Sequence, residues 1–404
     1  MTSSYHLEDR GKCNKNTCAN ARNVPKLRFK GYNDEWKKIK LGEHLNICRG
    51  ASPRPIEKYI TVENNGVNWI KIGDISPKEN VIKCTKEKIT IEGAKHSRYV
   101  RKGDLILSNS MSFGRPYILE IDGCIHDGWL LIQDLEKLFD KKYLCYLLDS
   151  DTVKQQYRKY AAGGVVINLN SELVRSVKVY IPNFREQEKI ASFLTLIDKK
   201  IEKQKELVEL LKKYKRGLLS AIFSQKLRFK DDNGNNYPAW EEKRLENILK
   251  IKHGKSQKEI ECNNGEYPIL ATGGEIGRTN SYLWDKPCVL IGRKGTIDKP
   301  QYMDTPFWTV DTLFYSEVFK ENNAKYLYFL FNTINWKKYD ESTGVPSLSA
   351  KTIERIKVKS SVNYAEQVAI SEFLSKFDEK ILQEECILDK LQNYKKGLLQ
   401  QMFI

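Results

Sequence analysis

The sequence has little that would mark a membrane, secreted or metal-binding protein. No run approaches the roughly 20 apolar residues that cross a bilayer, and the polar start, residues 1–23, has no apolar signal core. The 9 cysteines are odd in number and scattered, and the 5 histidines are isolated, so no disulfide framework and no metal site are expected. Cys13 and Cys18 have no second pair at ligand spacing, which favours free thiols over structural zinc. These absences predict a soluble cytoplasmic protein.

Catalytic motifs are also missing. The sequence contains no Asn-Pro-Pro-aromatic or Asp-Pro-Pro-Tyr methyltransferase motif and no phosphate loop of the type Gly-x-x-x-x-Gly-Lys-Ser/Thr. The glycine-rich stretches 273–277 and 292–295 lack the spacing of a nucleotide site between a strand and a helix, so turns are the favoured interpretation. Glu241 and Lys243 form a pattern too short to indicate a nuclease. The chain is therefore expected to be non-catalytic, with no catalytic, cofactor-binding or metal-binding residue.

Negative charge is in deficit. The 404 residues include 68 Lys and Arg against 52 Asp and Glu, a net charge of +16. An excess of this size favours a polyanionic partner, most often nucleic acid. A membrane surface is the competing partner, but the predicted helices carry charges of both signs and no one-sided basic amphipathic segment is present. Nucleic acid is therefore preferred, and no membrane is expected.

The most informative positive feature is an internal repeat. Residues 184–223 return without a gap as residues 364–403, and 15 of the 40 positions are identical. Apolar residues in both copies follow the alternating steps of four and three that form a heptad seam. The polar interruptions at Gln204 and Glu384 also match. The repeat predicts two long helices that pair through Ile190, Leu194, Ile197, Ile201, Val208, Leu211, Ile370, Leu374, Phe377, Ile381, Leu388 and Leu391.

A second duplication precedes each helix. Leu-Arg-Phe-Lys at residues 27–30 returns at 227–230, and Trp36 and Trp240 follow in matching places. The chain is therefore a head-to-tail tandem, and its globular parts are predicted to be mixed α/β with short strands dominant. The predicted segments are a polar tail at 1–23, a globular domain at 24–183, a helix at 184–223, a second globular domain at 224–363 and a helix at 364–404.

These features resemble the specificity subunit of type I restriction-modification systems. The marks are the Glu-Gln pairs that open both helices, the Tyr-Lys-Lys/Arg-Gly-Leu-Leu sequences near their ends, and the order of variable segment, repeat, variable segment, repeat. The resemblance covers nearly the whole chain after the polar tail. It implies an α+β fold in which two β-rich target recognition domains are separated by two long helices, paired as an antiparallel coiled coil with pseudo-two-fold symmetry.

The resemblance also implies a function. Each target recognition domain would read one half of a bipartite, asymmetric site in double-stranded DNA, while the helices set the spacer and dock two methyltransferase subunits. Restriction and translocase subunits would complete the complex. Adenine methylation with S-adenosylmethionine, and DNA cleavage with ATP and Mg²⁺, would belong to those partners, so no cofactor is expected on this chain.

DNA reading needs forked or paired donors on loops, since Arg and Lys suit guanine and phosphate and Asn suits adenine. The expected loops are 49–54, 71–76 and 108–115 in the first domain, and 253–258, 272–279 and 293–299 in the second. The candidate residues are Arg49, Ser52, Arg54, Lys71, Asp74, Ser108, Asn109, Ser112, Arg115, Lys255, Ser256, Arg278, Arg293, Lys294, Thr296 and Lys299. Asp74, Asp127 and Asp311 either accept from cytosine or, more commonly, brace an arginine. Ordinary solvated turns are the alternative for each loop.

Two other classes of function stay open from the residues alone. A self-sufficient nuclease or methylase is opposed by the missing motifs. An architectural coiled-coil protein, which binds DNA or protein without sequence specificity, predicts no sequence preference in DNA binding, and weak salt dependence if DNA is not its partner.

Overall fold

The chain divides into two compact units. A computed structural model describes residues 7–9, 23–74, 81–109, 114–161 and 169–404. The first unit consists of Met1–Lys203 with Leu388–Ile404, and the second of Gln204–Ile387. Each unit therefore contains one globular domain, the first part of the long helix that follows it, and the last part of the other long helix.

Short strands dominate the first unit. They are β1 (Leu7–Asp9), β2 (Leu27–Phe29), β3 (Lys37–Lys40), β4 (Leu45–Arg49), β5 (Ile60–Thr61), β6 (Val67–Ile70), β7 (Val81–Ile82), β8 (Glu87–Ile89), β9 (Arg98–Val100), β10 (Leu105–Ser108), β11 (Pro116–Leu119), β12 (Gly123–Ile125), β13 (Trp129–Asp134) and β14 (Lys178–Ile181). The helices are α1 (Leu41–His44), α2 (Ile91–Lys95), α3 (Lys141–Asp149), α4 (Asp151–Ala161), α5 (Ser171–Ser176) and the long α6 (Phe184–Phe223), which continues into the second unit.

Two sheets form the body of the first domain. Their strand orders are β4-β13-β10-β11-β7 and β5-β8-β6-β12-β9, and β1-β2 and β14-β3 form smaller pairs. All four residues of β10 are buried, as its uninterrupted apolar run favours. β13 runs antiparallel to both β4 and β10, with Leu130 opposite Arg49 and Trp129 opposite Ser108. The ends of β4 and β10 and the start of β13 therefore lie together at one end of the sheet.

The second unit repeats a reduced version of this plan. Its strands are β15 (Glu241–Arg244), β16 (Leu249–Lys252), β17 (Tyr267–Ala271), β18 (Gly274–Thr279), β19 (Cys288–Gly292), β20 (Gln301–Met303), β21 (Trp308–Thr309), β22 (Leu313–Val318) and β23 (Lys357–Ser360). Its helices are α7 (Ala324–Phe331), α8 (Ala350–Arg355) and the long α9 (Tyr364–Met402). The strand orders are β16-β22-β19-β20, β18-β17-β21 and β15-β23. The first of these matches β4-β13-β10-β11 strand for strand. The sheet β18-β17-β21 has three strands, whereas the sheet of the first domain that contains β6 and β12 has five.

Each unit has its own apolar core, which the ends of the long helices complete. In the first unit, Phe403 is buried in one cluster with Ile190 and Leu194 and the core of the globular domain. In the second unit, Ile222 is buried in the same way with Ile370. The first seam positions of each helix therefore pack against a globular domain as well as against the other helix.

The glutamates of the repeated Glu-Gln pairs anchor each long helix to its domain. Glu186 is fully buried and forms a bidentate ion pair with the buried Arg28, with N–O distances of 2.7 and 2.8 Å. Glu366 accepts a hydrogen bond from Trp240 Nε1 at 2.9 Å, and the guanidinium of Arg228 lies 3.8 Å away. Both arginines belong to the repeated Leu-Arg-Phe-Lys sequence, so the two duplications meet inside each unit.

The glutamines of the same pairs hold a domain helix. Gln187 Oε1 accepts a hydrogen bond from the main-chain nitrogen of Asp140 at 3.0 Å, and Gln367 Oε1 accepts one from Asn323 at 2.7 Å. Asp140 and Asn323 are the N-caps of α3 and α7, and their side chains accept from backbone N–H groups in the first turn. The two glutamines therefore make equivalent tertiary contacts, whereas the two glutamates differ in the geometry of their contacts.

The two long helices pair in opposite directions. Gln204 of α6 contacts Glu384 of α9, and further along α6 Lys215 contacts Asp378, so the partner number falls as the α6 number rises. The same lysine–aspartate contact is repeated in the first unit between α9 and α6. The predicted seam positions Ile190, Leu194, Ile201, Val208, Ile370, Leu374 and Ile381 are buried, and Ile197, Leu211, Phe377, Leu388 and Leu391 are half-buried. The predicted fold, two β-rich domains and an antiparallel helix pair, is confirmed.

Candidate nucleic-acid interface

In the first domain, several of the predicted DNA-binding residues contact one aspartate, Asp127. Asp127 lies just before β13, Arg49 ends β4, and Asn109 follows β10, so the three meet at the same end of the sheet. Arg49 Nε and Asn109 Nδ2 both donate to the main-chain carbonyl of Asp127, at 3.0 and 2.8 Å. Ser52 Oγ donates to the Asp127 carboxylate at 3.0 Å. The prediction that Asp127 braces an arginine matches this geometry.

Two arginines lie beside the Asp127 carboxylate on the exposed side. The Nη2 atoms of Arg49 and Arg54 are 3.8 and 3.6 Å from Asp127 Oδ2. The two side chains are 65% and 83% exposed, so their donors are open to a polyanion. Two guanidinium groups around one carboxylate leave a local excess of positive charge, which suits phosphate or a guanine edge.

A glycine allows the two chain segments to approach this closely. The backbone nitrogen of Gly50 donates to the Trp129 carbonyl at 2.8 Å, and a Cβ on Gly50 would lie 2.1 Å from the His126 carbonyl oxygen. In the second domain, a Cβ on Gly254 would lie 2.0 Å from the Val310 carbonyl oxygen. Both positions exclude any side chain, which explains why glycine occurs directly after β4 and again two residues after β16.

The second domain builds the same arrangement with different residues. Asp311 lies just before β22, as Asp127 lies before β13, and Arg293 follows β19 where Asn109 follows β10. Arg293 Nη1 is 3.2 Å from the Asp311 carbonyl oxygen and 3.8 Å from its carboxylate. The main-chain nitrogen of Arg293 donates to the Thr312 carbonyl at 2.8 Å, as that of Asn109 donates to Gly128 at 3.0 Å. An aspartate that docks an arginine at this end of the sheet is therefore common to both domains.

Comparison with known proteins decides the family. Residues 33–212 and 238–393 match the family described as the type I restriction modification DNA specificity domain. The chain belongs to this family. Each matched range contains one globular domain and most of the helix after it, so the family's specificity domain occurs twice in the chain.

Curated relatives of the specificity-domain family are similar over part of their length. The chain is 25% identical over 250 residues to the type I restriction enzyme MjaIX specificity subunit of Methanocaldococcus jannaschii, covering 58% of this chain and 57% of that protein. It is 23% identical over 244 residues to the MjaVIII specificity subunit of the same organism, covering 57% of this chain and 53% of that protein. The chain therefore spans little more than half the length of these two relatives.

Solved structures of type I systems share the fold of the two specificity domains. The S subunit of a type I restriction-modification system from M. genitalium matches with a TM-score of 0.59 at 18% identity, over 94% of this chain and 99% of that chain. A chain from a study of complex assembly and conformational transition of the type I R-M system matches with a TM-score of 0.57 at 14% identity, over 91% of this chain and 97% of that chain.

Other candidates of the first specificity domain have partners other than Asp127. Lys71 pairs with Glu87, and Asp74 accepts a hydrogen bond from the main-chain nitrogen of Lys71 at 3.2 Å. Ser108 is buried, and its Oγ accepts from the main-chain nitrogen of Arg115 at 3.1 Å. Some of the residues considered in the sequence analysis lie outside the described residues: Ser112, parts of two predicted loops at 75–76 and 110–113, Cys13 and Cys18.

In the second specificity domain, Arg278 is the most strongly held candidate. It donates to the carbonyls of Gly265 and Glu266 at 2.8 and 2.7 Å and to the Glu275 carboxylate at 3.1 Å. These contacts brace the β17–β18 hairpin. The remaining candidates are on the surface of the domain, with Lys255, Ser256, Lys294 and Lys299 exposed and Thr296 half-buried.

Sequence reasoning misses His126, which lies beside Asp127. Its Nδ1 accepts a hydrogen bond from the Gly128 main-chain nitrogen at 2.6 Å, and its ring is 6.2 Å from that of Trp69 and 6.5 Å from that of Trp129. Burial lowers the pKa of His126, with the neighbouring Asp127 carboxylate acting in the opposite direction. An isolated histidine carries no pattern in the sequence, and its contact with Trp69 joins positions that are distant in the chain.

No metal centre and no membrane span occur in the described part of the chain. Within residues 7–9, 23–74, 81–109, 114–161 and 169–404, no group of three or more His, Cys, Asp or Glu side chains is placed to hold a metal ion. Over the same residues, no helix is long and apolar enough to cross a bilayer.

Proposed function

We propose that the chain is the DNA sequence-specificity subunit of a type I restriction-modification complex, and that each specificity domain reads one half of a bipartite, asymmetric site. One observation carries the proposal: both domains build an aspartate-docked arginine at the corresponding end of corresponding sheets, from Asp127 with Arg49 and from Asp311 with Arg293. The scaffold is shared but the residues around it differ. That combination suits two readers of different sequences.

The charge and the family support double-stranded DNA as the partner. The net charge of +16 favours a polyanion, and exposed arginines are the side chains best suited to guanine and phosphate. The matched family is described as a DNA specificity domain, and the two similar proteins of M. jannaschii are called specificity subunits. On this proposal the chain acts in the cytoplasm, where the DNA lies.

The remaining work of the complex belongs to partner subunits. The paired helices set the distance between the half-sites and dock two methyltransferase subunits, and restriction subunits complete the assembly. Adenine methylation with S-adenosylmethionine, and cleavage with ATP and Mg²⁺, take place on those partners. This chain itself is non-catalytic and binds no cofactor.

Mapping of methylated bases tests the proposal. The chain is expressed with the methyltransferase subunit of its own genome in a cell that lacks DNA methylation, and modified adenines are located by single-molecule sequencing. A bipartite motif that disappears when this chain is omitted is the expected result. A soluble complex that produces no motif contradicts the proposal and favours an architectural coiled-coil protein. Methylation by this chain without a partner would instead reveal a catalytic centre within it.

A further inference from the structure

Both domains have an aspartate at the same place in the sheet, but the arginine that contacts it belongs to a different strand in each domain. In the first domain, Arg49 comes from the end of β4, and the position after β10 holds Asn109. In the second domain, the position after β19 holds Arg293, and His253, which precedes Gly254 as Arg49 precedes Gly50, takes the place of the first domain's arginine. The aspartate thus has the same place in both domains, and the arginine that contacts it comes from a different strand in each.

Each docked guanidinium is held at two points of one aspartate. Arg49 lies 3.0 Å from the carbonyl oxygen and 3.8 Å from the carboxylate of Asp127, and Arg293 lies 3.2 and 3.8 Å from the same groups of Asp311. The Asp127 side chain is itself oriented by Ser52, whose Oγ also accepts from the Asp127 main-chain nitrogen at 3.3 Å. These contacts use only part of the five N–H donors of a guanidinium. They restrict its orientation before any DNA is bound.

We infer that Asp127 and Asp311 are positioning residues, which aim Arg49 and Arg293 at a guanine so that each aspartate–arginine pair decides one base pair of its half-site. The inference rests on the proposed function and adds the specificity-determining residues. Arginine reads guanine with two donors directed at N7 and O6, a geometry that requires a fixed guanidinium plane. A side chain oriented in advance also loses less conformational freedom on binding.

Arg54 has a different role in the same cluster. It approaches Asp127 at a single distance of 3.6 Å and is 83% exposed, whereas Arg49 is held at two points. A loosely held guanidinium suits a phosphate, which accepts hydrogen bonds from many directions and carries no sequence information. Arg54 therefore contributes affinity, and Arg49 contributes sequence discrimination.

The test uses Asp127→Asn and Asp311→Asn in the full chain, bound to its methyltransferase subunit. Asparagine keeps the size and the main-chain carbonyl but removes the docking charge. On a randomised DNA library, Asp127→Asn is expected to lower the preference for guanine at one position of one half-site by about tenfold or more, with the other half-site unchanged. Asp311→Asn is expected to do the same in the other half-site. Glu136→Gln and Glu242→Gln, which remove the same charge from exposed carboxylates that contact His44 and Lys357, should leave the motif intact.

Variants of the arginines distinguish a loss of guanidinium orientation from a loss of folding. Arg49→Lys and Arg293→Lys keep the charge and the aspartates but lose the fork, so they should relax the same positions without a change in Tm. Arg54→Ala should weaken binding to all sequences and reduce the slope of log K against log salt by about 1, with the motif unchanged.

The outcomes distinguish this inference from the proposed function. If wild-type chain gives a sharp bipartite motif and the aspartate and lysine variants at these positions leave it unchanged, the inference is wrong and the proposed function stands. If wild-type chain gives no motif, the proposed function itself is wrong. If an asparagine variant lowers Tm, the lysine variants supply the decisive result.

Discussion

Gln204 and Glu384, at matching positions of the two repeats, hydrogen-bond to each other across the helix pair. The amide nitrogen of Gln204 donates to the Glu384 carboxylate at 2.6 Å and to its main-chain carbonyl at 3.0 Å. A polar pair within an apolar seam specifies register, because a shifted alignment would place each polar group against an apolar partner. The level of this pair is therefore the natural place to change the helix length without disturbing either domain.

If the helices set the spacer as proposed, insertion of one heptad into both of them at the level of Gln204 and Glu384 should lengthen the spacer of the recognised site. Seven helical residues add about 10 Å, which corresponds to about 3 base pairs of DNA. Both half-sites should stay the same, because the recognition residues are untouched. Mapping of methylated adenines measures the motif directly. An insertion into one helix alone should abolish the motif, and a changed half-site with an unchanged spacer would contradict the assignment of the helices.

The buried Arg28–Glu186 pair should be essential for the first unit. Removal of one partner leaves a buried charge without compensation, so Arg28→Ala should lower the free energy of unfolding by about 3–5 kcal/mol. Urea denaturation followed by fluorescence measures the loss.

Arg228→Ala is the matched control in the second unit. Arg228 is 3.8 Å from Glu366, which keeps the Trp240 hydrogen bond when the arginine is removed. The cost should therefore be clearly smaller than that of Arg28→Ala. Equal losses in the two variants would show that the bidentate geometry of the first pair carries no extra stability.

Replacement of glycine by alanine should lower the stability of the protein at Gly50, next to the sheet, and raise it at Gly217, within α6. Gly50→Ala would place a Cβ 2.1 Å from the His126 carbonyl oxygen, so the segment that carries Arg49 must move and Tm should fall. Gly217→Ala lies within α6, where a Cβ meets nothing within 4 Å. Alanine there should raise stability by about 0.5–1 kcal/mol, since glycine is a poor helix residue. Thermal unfolding of both variants checks the signs, and a neutral Gly50→Ala would contradict the close approach.

Stability should fall in mild acid through His126. Burial lowers the pKa of this histidine in the folded chain, while the unfolded chain keeps the usual value of about 6.5. Near and below that pH the unfolded state binds the proton more readily, so the contribution of His126 to the free energy of unfolding decreases as the pH falls and is fully present at higher pH. Urea denaturation between pH 8 and pH 5 should show the stability advantage over His126→Gln narrowing with acidification. An advantage that is the same at every pH would contradict the prediction.

The candidate site was only partly predictable from the sequence. Arg49 and Arg293 are expected from composition and loop position, and Asp127 and Asp311 as residues that brace an arginine, but nothing in the sequence shows which arginine meets which aspartate. Arg49 and Asp127 are 78 positions apart, and their contact depends on the antiparallel pairing of β4 with β13. Neither strand carries a pattern that selects its partner. Ser108 has a hydroxyl group of the kind that contacts phosphate, yet it lies at the end of a central strand and is 0% exposed.

The sequence by itself determined the tandem plan, the two long helices and the matched polar positions in their seam. These follow from a constant-offset repeat and a heptad period, both of which are local and need no knowledge of distant contacts. Only the tertiary structure decided what Glu186 and Gln187 hold, because Arg28 lies 158 positions from Glu186 and the N-cap Asp140 lies 47 from Gln187. It also decided which arginines are docked and which are loose. Such contacts arise from strand pairing and burial, which bring together residues that no periodic pattern relates.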